Sequence, residues 1–185
     1  MPKVSEAHRE ERRRQIMDGA RRAFAKHGYD RATVRVLERE IGLSRGAIFS
    51  YFPSKLELFL ALAGADQERL VRMWIEGYEG VVRHLVDDDP EWIGAYLDVS
   101  RMLRSDPQLR ERWEERNPEL NAELERRFAA QVEAGEIRGD LPLDTIGRFL
   151  GIVFDGMAIQ IGAGFGEPVD VDGTLELLRS ALAPK

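Results

Sequence analysis

One segment restricts the fold of this chain most, because it contains two short helical patterns separated by a glycine turn. It comprises residues 33–55, TVRVLEREIGLSRGAIFSYFPSK. Val34, Leu37 and Ile41 recur at helical spacing, and Gly42 follows where a helix ends with a positive φ angle. A helix, a short turn and a second helix form the unit that lays its second helix in the major groove of DNA. The segment therefore predicts a helix-turn-helix.

The second helix of this unit is bounded by clear start and stop signals. Ser44 can accept hydrogen bonds from the first free N–H groups, and Pro53 cannot continue a helix. Ser54 can then cap a third helix, with Lys55 in its first turn. These signals predict a helix over residues 44–52 and a longer helix from residue 55.

Several side chains around the second helix have the chemistry of DNA contacts. The guanidinium of Arg45 can reach the edge of a guanine, and the small Gly46 and Ala47 let the backbone approach the groove. Hydroxyl groups and helix N-termini suit phosphate oxygens. The candidate DNA-binding residues are Thr33, Arg35, Ser44, Arg45, Gly46, Ala47, Ser50, Tyr51 and Lys55. Pattern alone leaves open a helical hairpin in an ordinary all-α core, with a merely solvated Arg45.

The distribution of charge favours the DNA-binding interpretation. The whole chain carries a net charge of −6, which by itself argues against a nucleic-acid partner. Residues 1–55, however, hold 13 Lys and Arg against 7 Asp and Glu, so the positive charge lies where the helix-turn-helix pattern lies. The acidic remainder should repel DNA and orient the basic end toward it.

A longer segment around this unit comprises residues 19–62, GARRAFAKHGYDRATVRVLEREIGLSRGAIFSYFPSKLELFLAL. It closely resembles the DNA-binding domain of the TetR family of bacterial transcription regulators. Two positions depart from the pattern of that family: Ala47 stands where Thr is usual, and Phe49 where Tyr is usual. Hydroxyl contacts often made at these positions would therefore be absent. The resemblance implies an all-α homodimer with a ligand pocket between the long fourth helix and the helices after it.

Helical periodicity continues through the rest of the chain and predicts about nine helices in all. A helix-turn-helix domain is expected over residues 1–54, and an effector-binding and dimerisation domain over residues 55–185. One long helix is expected from residue 107 to about 135, with a kink at Asn117 and Pro118. A helix over residues 142–162 is apolar on both sides, and little chain remains to cover it. This pattern predicts a homodimer through a four-helix bundle.

The residues that could line an effector pocket are aromatic or basic side chains of the second domain: Trp74, Tyr78, Tyr96, Arg104, Trp113, Arg127, Phe128 and Phe154. For each aromatic residue, plain core packing is an alternative. Arg104 and Arg127 adjoin apolar rows and are expected to face inward, where an arginine needs an anionic partner. That partner could be an internal carboxylate such as Asp155 or an acidic effector.

Other classes of function find little support in the sequence. The chain has no cysteine, its three histidines are scattered, and it has no nucleophile elbow, phosphate loop or dinucleotide motif, so we expect no enzyme. We expect no metal site, since the three carboxylates of residues 87–89 point in different directions. Without an apolar run of about 18 residues or a signal peptide, a cytoplasmic protein with no membrane partner is expected.

Within the TetR family, the segments LDVSRMLRSDPQLRERW and VFDGM are similar to those of the aconitase repressor branch. The resemblance to that branch implies citrate with magnesium as effector. The resulting hypothesis is a ligand-responsive repressor that binds a palindromic DNA operator as a homodimer. Two alternatives remain: a DNA binder without an effector, and a helical small-molecule-binding protein whose helix-turn-helix is vestigial.

Overall fold

A computed structural model describes residues 6–87, 90–164 and 168–185 of the chain. Within these residues the secondary structure is entirely helical, which confirms the all-α prediction. These described ranges contain ten helices, where about nine were expected for the chain. They are α1 Glu6–Arg31, α2 Val34–Ile41, α3 Arg45–Phe49, α4 Lys55–Glu76, α5 Tyr78–Asp87, α6 Pro90–Ser105, α7 Pro107–Glu114, α8 Pro118–Glu133, α9 Leu143–Ala163 and α10 Val171–Leu182.

The local signals around α2 and α3 act as predicted. The side chain of Thr33 accepts a hydrogen bond at the start of α2, and Gly42 ends that helix with φ 76° and ψ 26°. Ser44 and Ser54 cap α3 and α4 in the same way. However, α3 ends at Phe49, so the expected helix over residues 44–52 is shorter by one turn. The remaining residues form a tight turn into α4.

The expected long helix after Pro107 is two helices in the structure. Asp106 caps α7 by accepting hydrogen bonds from the N–H groups of Gln108 and Leu109. The chain then turns before Pro118, which occupies the first turn of α8. Proline has no N–H and restricts the residue before it, so Asn117 and Pro118 separate two helices and do not merely kink one.

Two clusters of buried side chains hold the helices together. The first joins α1, α2 and α3 to α4 and α6, around Phe24, Phe59 and Trp92. The second joins α5, α6, α9 and α10, around Leu150 and Leu175. Because the first cluster crosses residue 54, the two expected domains share a core, and their boundary stays a prediction.

Helix α9 packs closely against α6 on one side and is exposed on another. A Cβ atom on Gly162 would lie 2.9 Å from the backbone nitrogen of Gly94, so the two glycines permit this crossing. By length and composition α9 could cross a membrane, contrary to our expectation, but a single helix of this kind is weak evidence for a membrane span. Asp87 ends α5, while Asp88 and Asp89 of the acidic triplet lie outside the described residues.

Candidate nucleic-acid interface and ligand cavity

Helix α1 holds α2 in place through the free carbonyl groups at the end of α2. Gln15 Nε2 donates to the carbonyl oxygen of Ile41 at 3.1 Å, and Arg22 Nη2 donates to that of Glu40 at 3.1 Å. Between them lies Gly19, where a Cβ atom would come within 2.7 Å of the Ile41 Cα. The two helices therefore touch backbone to backbone, and side-chain donors satisfy carbonyls that a helix end leaves unpaired.

The N-terminus of α3 is fixed by two side-chain acceptors. Ser44 Oγ accepts from the N–H of Ala47 at 3.4 Å, and Glu38 Oε1 accepts from the N–H of Arg45 at 2.7 Å. Glu38 belongs to α2, so this bond ties the two helices of the helix-turn-helix to each other. A helix of five residues is unstable alone, and these bonds fix its direction.

The candidate DNA-binding residues are mostly on the surface. Those with exposed positions are Thr33, Arg35, Ser44, Arg45, Gly46 and Ser50, while Ala47, Tyr51 and Lys55 are half-buried. The hydroxyl of Ser50 donates to the carbonyl oxygen of Ala47 at 2.8 Å, so its proton is not free for a phosphate. The exposed, small or basic surface of α3 is what a helix needs in order to enter a DNA groove.

Lys55 is bound within the protein. Its Nζ donates to the carbonyl oxygen of Tyr29 at 2.9 Å and lies 4.2 Å from the centre of the Tyr29 ring. Burial lowers the pKa of the Lys55 ammonium, and the nearby Asp30 opposes this. The ammonium therefore joins the start of α4 to the segment after Gly28, where α1 breaks with φ 70° and ψ 166°.

A cavity of about 230 Å³ lies between α4, α5, α6 and α9. Its walls are mostly apolar and aromatic, with a few polar groups, as is usual for a small-molecule site. The lining residues are Asp66, Gln67, Leu70, Val71, Trp74, His84, Leu85, Trp92, Ile93, Tyr96, Leu97, Ser100, Phe154, Asp155 and Ala158. Three of the predicted ligand residues are therefore brought together here, namely Trp74, Tyr96 and Phe154.

The polar groups of this cavity are unusual in their ionisation and hydrogen bonding. Burial, together with the carboxylates of Asp66 and Asp155, raises the pKa of Tyr96 to about 12. Partial burial also raises the pKa of the Asp155 carboxyl. The buried Oε1 of Gln67 has no hydrogen-bond partner among the described residues. A buried acceptor without a donor is uncommon and can be satisfied by a ligand.

The other predicted ligand residues lie elsewhere. Tyr78 packs into the second buried cluster, and Trp113 lies in a separate surface pocket beside α4. Phe128 lines a neighbouring pocket of about 140 Å³, which shares only the walls of Trp74 and Phe154 with the cavity.

The expectation that Arg104 and Arg127 face inward is wrong, since both are exposed. The lining of the cavity on α6 ends at Ser100, one turn before Arg104. Helix α8 has no buried residue, so Arg127 occupies the outer side of a surface helix. An exposed guanidinium is hydrated, and neither an internal carboxylate nor an acidic effector is needed to neutralise it.

Helical periodicity missed an arginine that does face inward, Arg116, in the turn between α7 and α8. Its Nη1 donates to the carbonyl oxygen of Leu60 at 3.1 Å, and its guanidinium covers Gly64 on α4. The guanidinium carbon lies 4.7 Å from the centre of the Trp113 ring. Arg116 thus attaches the turn before α8 to the middle of α4. The nearest sequence signal is Gly64, which leaves room for the guanidinium.

Sequence comparison connects this arrangement to known regulators. Residues 16–62 match the family described as bacterial regulatory proteins, tetR family. The chain is 43% identical to the HTH-type transcriptional repressor Rv1474c of Mycobacterium tuberculosis, over 98% of each chain. It is 37% identical to the HTH-type transcriptional repressor AcnR of Corynebacterium diphtheriae, over 98% of this chain and 97% of that protein. These relatives are regulators and not enzymes, as the sequence motifs predict.

Structure comparison agrees. The structure of GusR from Salmonella enterica matches with a TM-score of 0.74, covering 97% of this chain and 98% of that chain at 21% identity, which shows a shared fold. One conclusion follows from the capped helix-turn-helix, from its hydrogen bonds to α1 and from the full-length similarity to named repressors. This chain belongs to the tetR family of bacterial regulatory proteins, in the branch of the AcnR repressors.

Proposed function

We propose that this TetR-family transcriptional repressor binds a palindromic operator as a homodimer and is released from it by a small-molecule effector. The observation that carries the proposal is the combination, in one chain, of an exposed α3 fixed at its N-terminus with a partly apolar cavity beside α4. Helix α4 begins at the end of the helix-turn-helix and also lines the cavity. It therefore connects the two sites directly.

Each subunit would place α3 in one major groove of the operator, with half-sites about one helical turn apart. Arg45 would contact a base edge, because its side chain is exposed at the N-terminal end of α3. Arg35 and Thr33, exposed at the start of α2, would lie near phosphates. A cytoplasmic location follows from this role.

The exposed apolar side chains of α9 and α10 support the homodimer. Phe149, Ile152 and Ile159 are 40%, 66% and 47% exposed on α9, and Leu177 is 73% exposed on α10. These residues, three to seven positions apart on α9, form a stripe that water solvates poorly. The same stripe on a second copy would cover it, giving an isologous interface of four helices. This interface also accounts for the apolar character of α9 without a membrane.

The polar groups in the cavity restrict the effector. Asp66 and Asp155 both line it, whereas the described lining residues include no Lys or Arg. A free carboxylate ligand finds no cation in this lining, but a carboxylate bound to a divalent cation brings a positive charge that aspartate oxygens can bind. We therefore propose magnesium citrate, not free citrate, as the first effector to test, and its cation would face the two aspartates.

Two measurements test this function together. An electrophoretic mobility shift on the DNA flanking the coding region of the protein, at two salt concentrations, should reveal a symmetric site that is preferred over random DNA. Thermal melting with citrate, magnesium chloride and their mixture should then show stabilisation by the mixture beyond either component. No preference for any symmetric site would contradict the repressor. An unchanged melting temperature with the mixture would contradict the assignment of magnesium citrate as effector. If no metabolite in a wider screen stabilised the protein, an effector-independent DNA binder would be favoured.

A further inference from the structure

Asp66, on the inner face of α4, binds helices on both sides of it. Arg21 Nη1, from α1, donates to Asp66 Oδ1 at 2.8 Å and to Oδ2 at 3.0 Å. Trp92 Nε1, from α6, donates to Asp66 Oδ2 at 2.8 Å. One carboxylate therefore connects a helix of the DNA-binding region with a helix of the ligand-binding region.

The three side chains also contact one another directly. The guanidinium carbon of Arg21 lies 4.4 Å from the centre of the Trp92 ring, so the cation also packs on the indole that shares its carboxylate. The Asp66 side chain is 17% exposed and that of Arg21 is 30% exposed. Hydrogen bonds to charged groups in such a partly dehydrated place are stronger than ion pairs on an open surface.

Asp66 and Trp92 also belong to the lining of the cavity beside α4. A ligand that donates hydrogen bonds to Asp66, or brings a cation to it, would use the same carboxylate oxygens that hold Arg21. The two interactions are thus in competition. A ligand that needs these oxygens binds better to the state in which Arg21 has left them, and it shifts the equilibrium toward that state.

Movement of Arg21 would reach α3 through contacts within the first three helices. Arg21 lies on α1 next to Arg22, which holds the end of α2, and Glu38 of α2 holds the start of α3. These bonds connect α1, α2 and α3 to one another. Loss of the Arg21 contact would leave this group intact and change its position relative to α4.

We propose that Asp66 is the residue through which occupancy of the cavity controls the DNA-binding region: its carboxylate holds either Arg21 of α1 or the effector. The inference rests on the proposed function, because the position of the region matters only when two subunits must fit two half-sites. With the carboxylate engaged by Arg21, the two reading helices have the spacing of the operator. With it engaged by the ligand, that spacing is lost.

The test compares an operator of two half-sites with DNA containing one half-site, using the full-length protein. Asp66→Asn keeps an acceptor for Trp92 but removes the charge that holds Arg21. It should weaken binding to the full operator between about 5-fold and 100-fold and leave binding to the single half-site within about 2-fold of the wild type. Arg21→Gln should behave in the same way, and the double variant should be no weaker than either single variant.

Asp140→Asn is the matched control, because it breaks another Arg–Asp pair that has two hydrogen bonds, with Arg138, away from α1 and the cavity. It should bind both DNAs as the wild type does. Equal losses of Asp66→Asn on full and half sites would indicate a general folding defect and overturn the proposal, as would wild-type affinity for the full operator. A wild type that does not prefer the full operator would instead contradict the proposed function itself.

Discussion

The carboxylate of Glu38 in α2 accepts the backbone N–H of Arg45, the first residue of α3, at 2.7 Å. Arg45, the residue that we propose reads a base, thus has its backbone fixed by the preceding helix. Negative charge at a helix N-terminus is favourable for the helix, but here it also lies close to where DNA phosphates would be.

Replacing Glu38 separates these two effects. Glu38→Ala removes the acceptor and should cost about 1–2 kcal/mol of stability and weaken operator binding, because α3 loses one of its two caps. Glu38→Gln keeps an acceptor oxygen and loses the charge, so it should bind at least as tightly as the wild type. Thermal melting and fluorescence anisotropy on operator DNA measure the two properties. An alanine variant with wild-type affinity would show that this bond does not position α3.

Arg45→Ala should weaken binding to the operator by roughly 1–3 kcal/mol and reduce discrimination between base pairs at the position it contacts. The side chain is exposed, so the melting temperature should not change. Competition assays with operator variants and with random DNA measure the effect. If operator and random DNA lose affinity equally, Arg45 contacts phosphate and does not read a base.

Gly19→Ala should disrupt the contact between α1 and α2. The added Cβ would lie 2.7 Å from the Ile41 Cα, and because that atom belongs to the backbone it cannot rotate away. A loss of roughly 1–3 kcal/mol of stability and of DNA binding is expected, as for an overpacked core. Gly80→Ala is the control, since its Cβ meets only the Met73 Cε at 4.0 Å, and it should be neutral or stabilising. Chemical denaturation of both variants distinguishes the outcomes.

Ile152→Glu should convert the proposed homodimer to a monomer, because it places a charge in the middle of the exposed stripe on α9. Light scattering after size-exclusion chromatography gives the mass directly, and binding to the full operator should fall with it. Leu141→Glu changes an apolar residue that is also exposed, at 40%, but lies in the loop before α9. That variant should remain dimeric. A dimeric Ile152→Glu would place the interface elsewhere.

Tyr96 should make stability depend on alkaline pH. Its pKa rises from the ordinary value of 10.0 to about 12 in the folded protein. The unfolded chain therefore loses this proton first, so stability decreases as pH rises from 10 to 12, by at most roughly 2–3 kcal/mol. Denaturation at several pH values should show a smaller decrease for Tyr96→Phe. The absorbance of ionised tyrosines, recorded after a rapid pH jump, should show one phenol fewer at the highest pH in that variant. An unchanged tyrosine titration would contradict the raised pKa of Tyr96.

Much of the first half of the fold is predictable because its signals are local. Thr33, Gly42, Ser44 and Ser54 each act on a backbone group within a few residues, and the structure has all four at the expected helix ends. The relation between helices is not local. The partners of Asp66 lie 45 and 26 residues away, so no spacing in the sequence indicates their contact.

The errors in predicting which residues line the cavity have the same origin. A row of residues on a helix shows which positions share a face, but the neighbouring helices decide which face is covered. Arg104 shares a row with residues of α6 that line the cavity, yet it lies beyond the end of the cavity. Arg116 belongs to no apolar row and nevertheless packs on α4.

Because α3 is short, the residues that hold the segment 44–52 to the protein are different from those that face the solvent. Ile48 and Phe52 are buried and hold the segment to the rest of the protein, while Arg45 and Gly46 are exposed. Substitutions at the exposed positions could therefore retarget the protein to a different DNA sequence while its resistance to heat stayed the same. New recognition could evolve in this chain without any compensating change elsewhere.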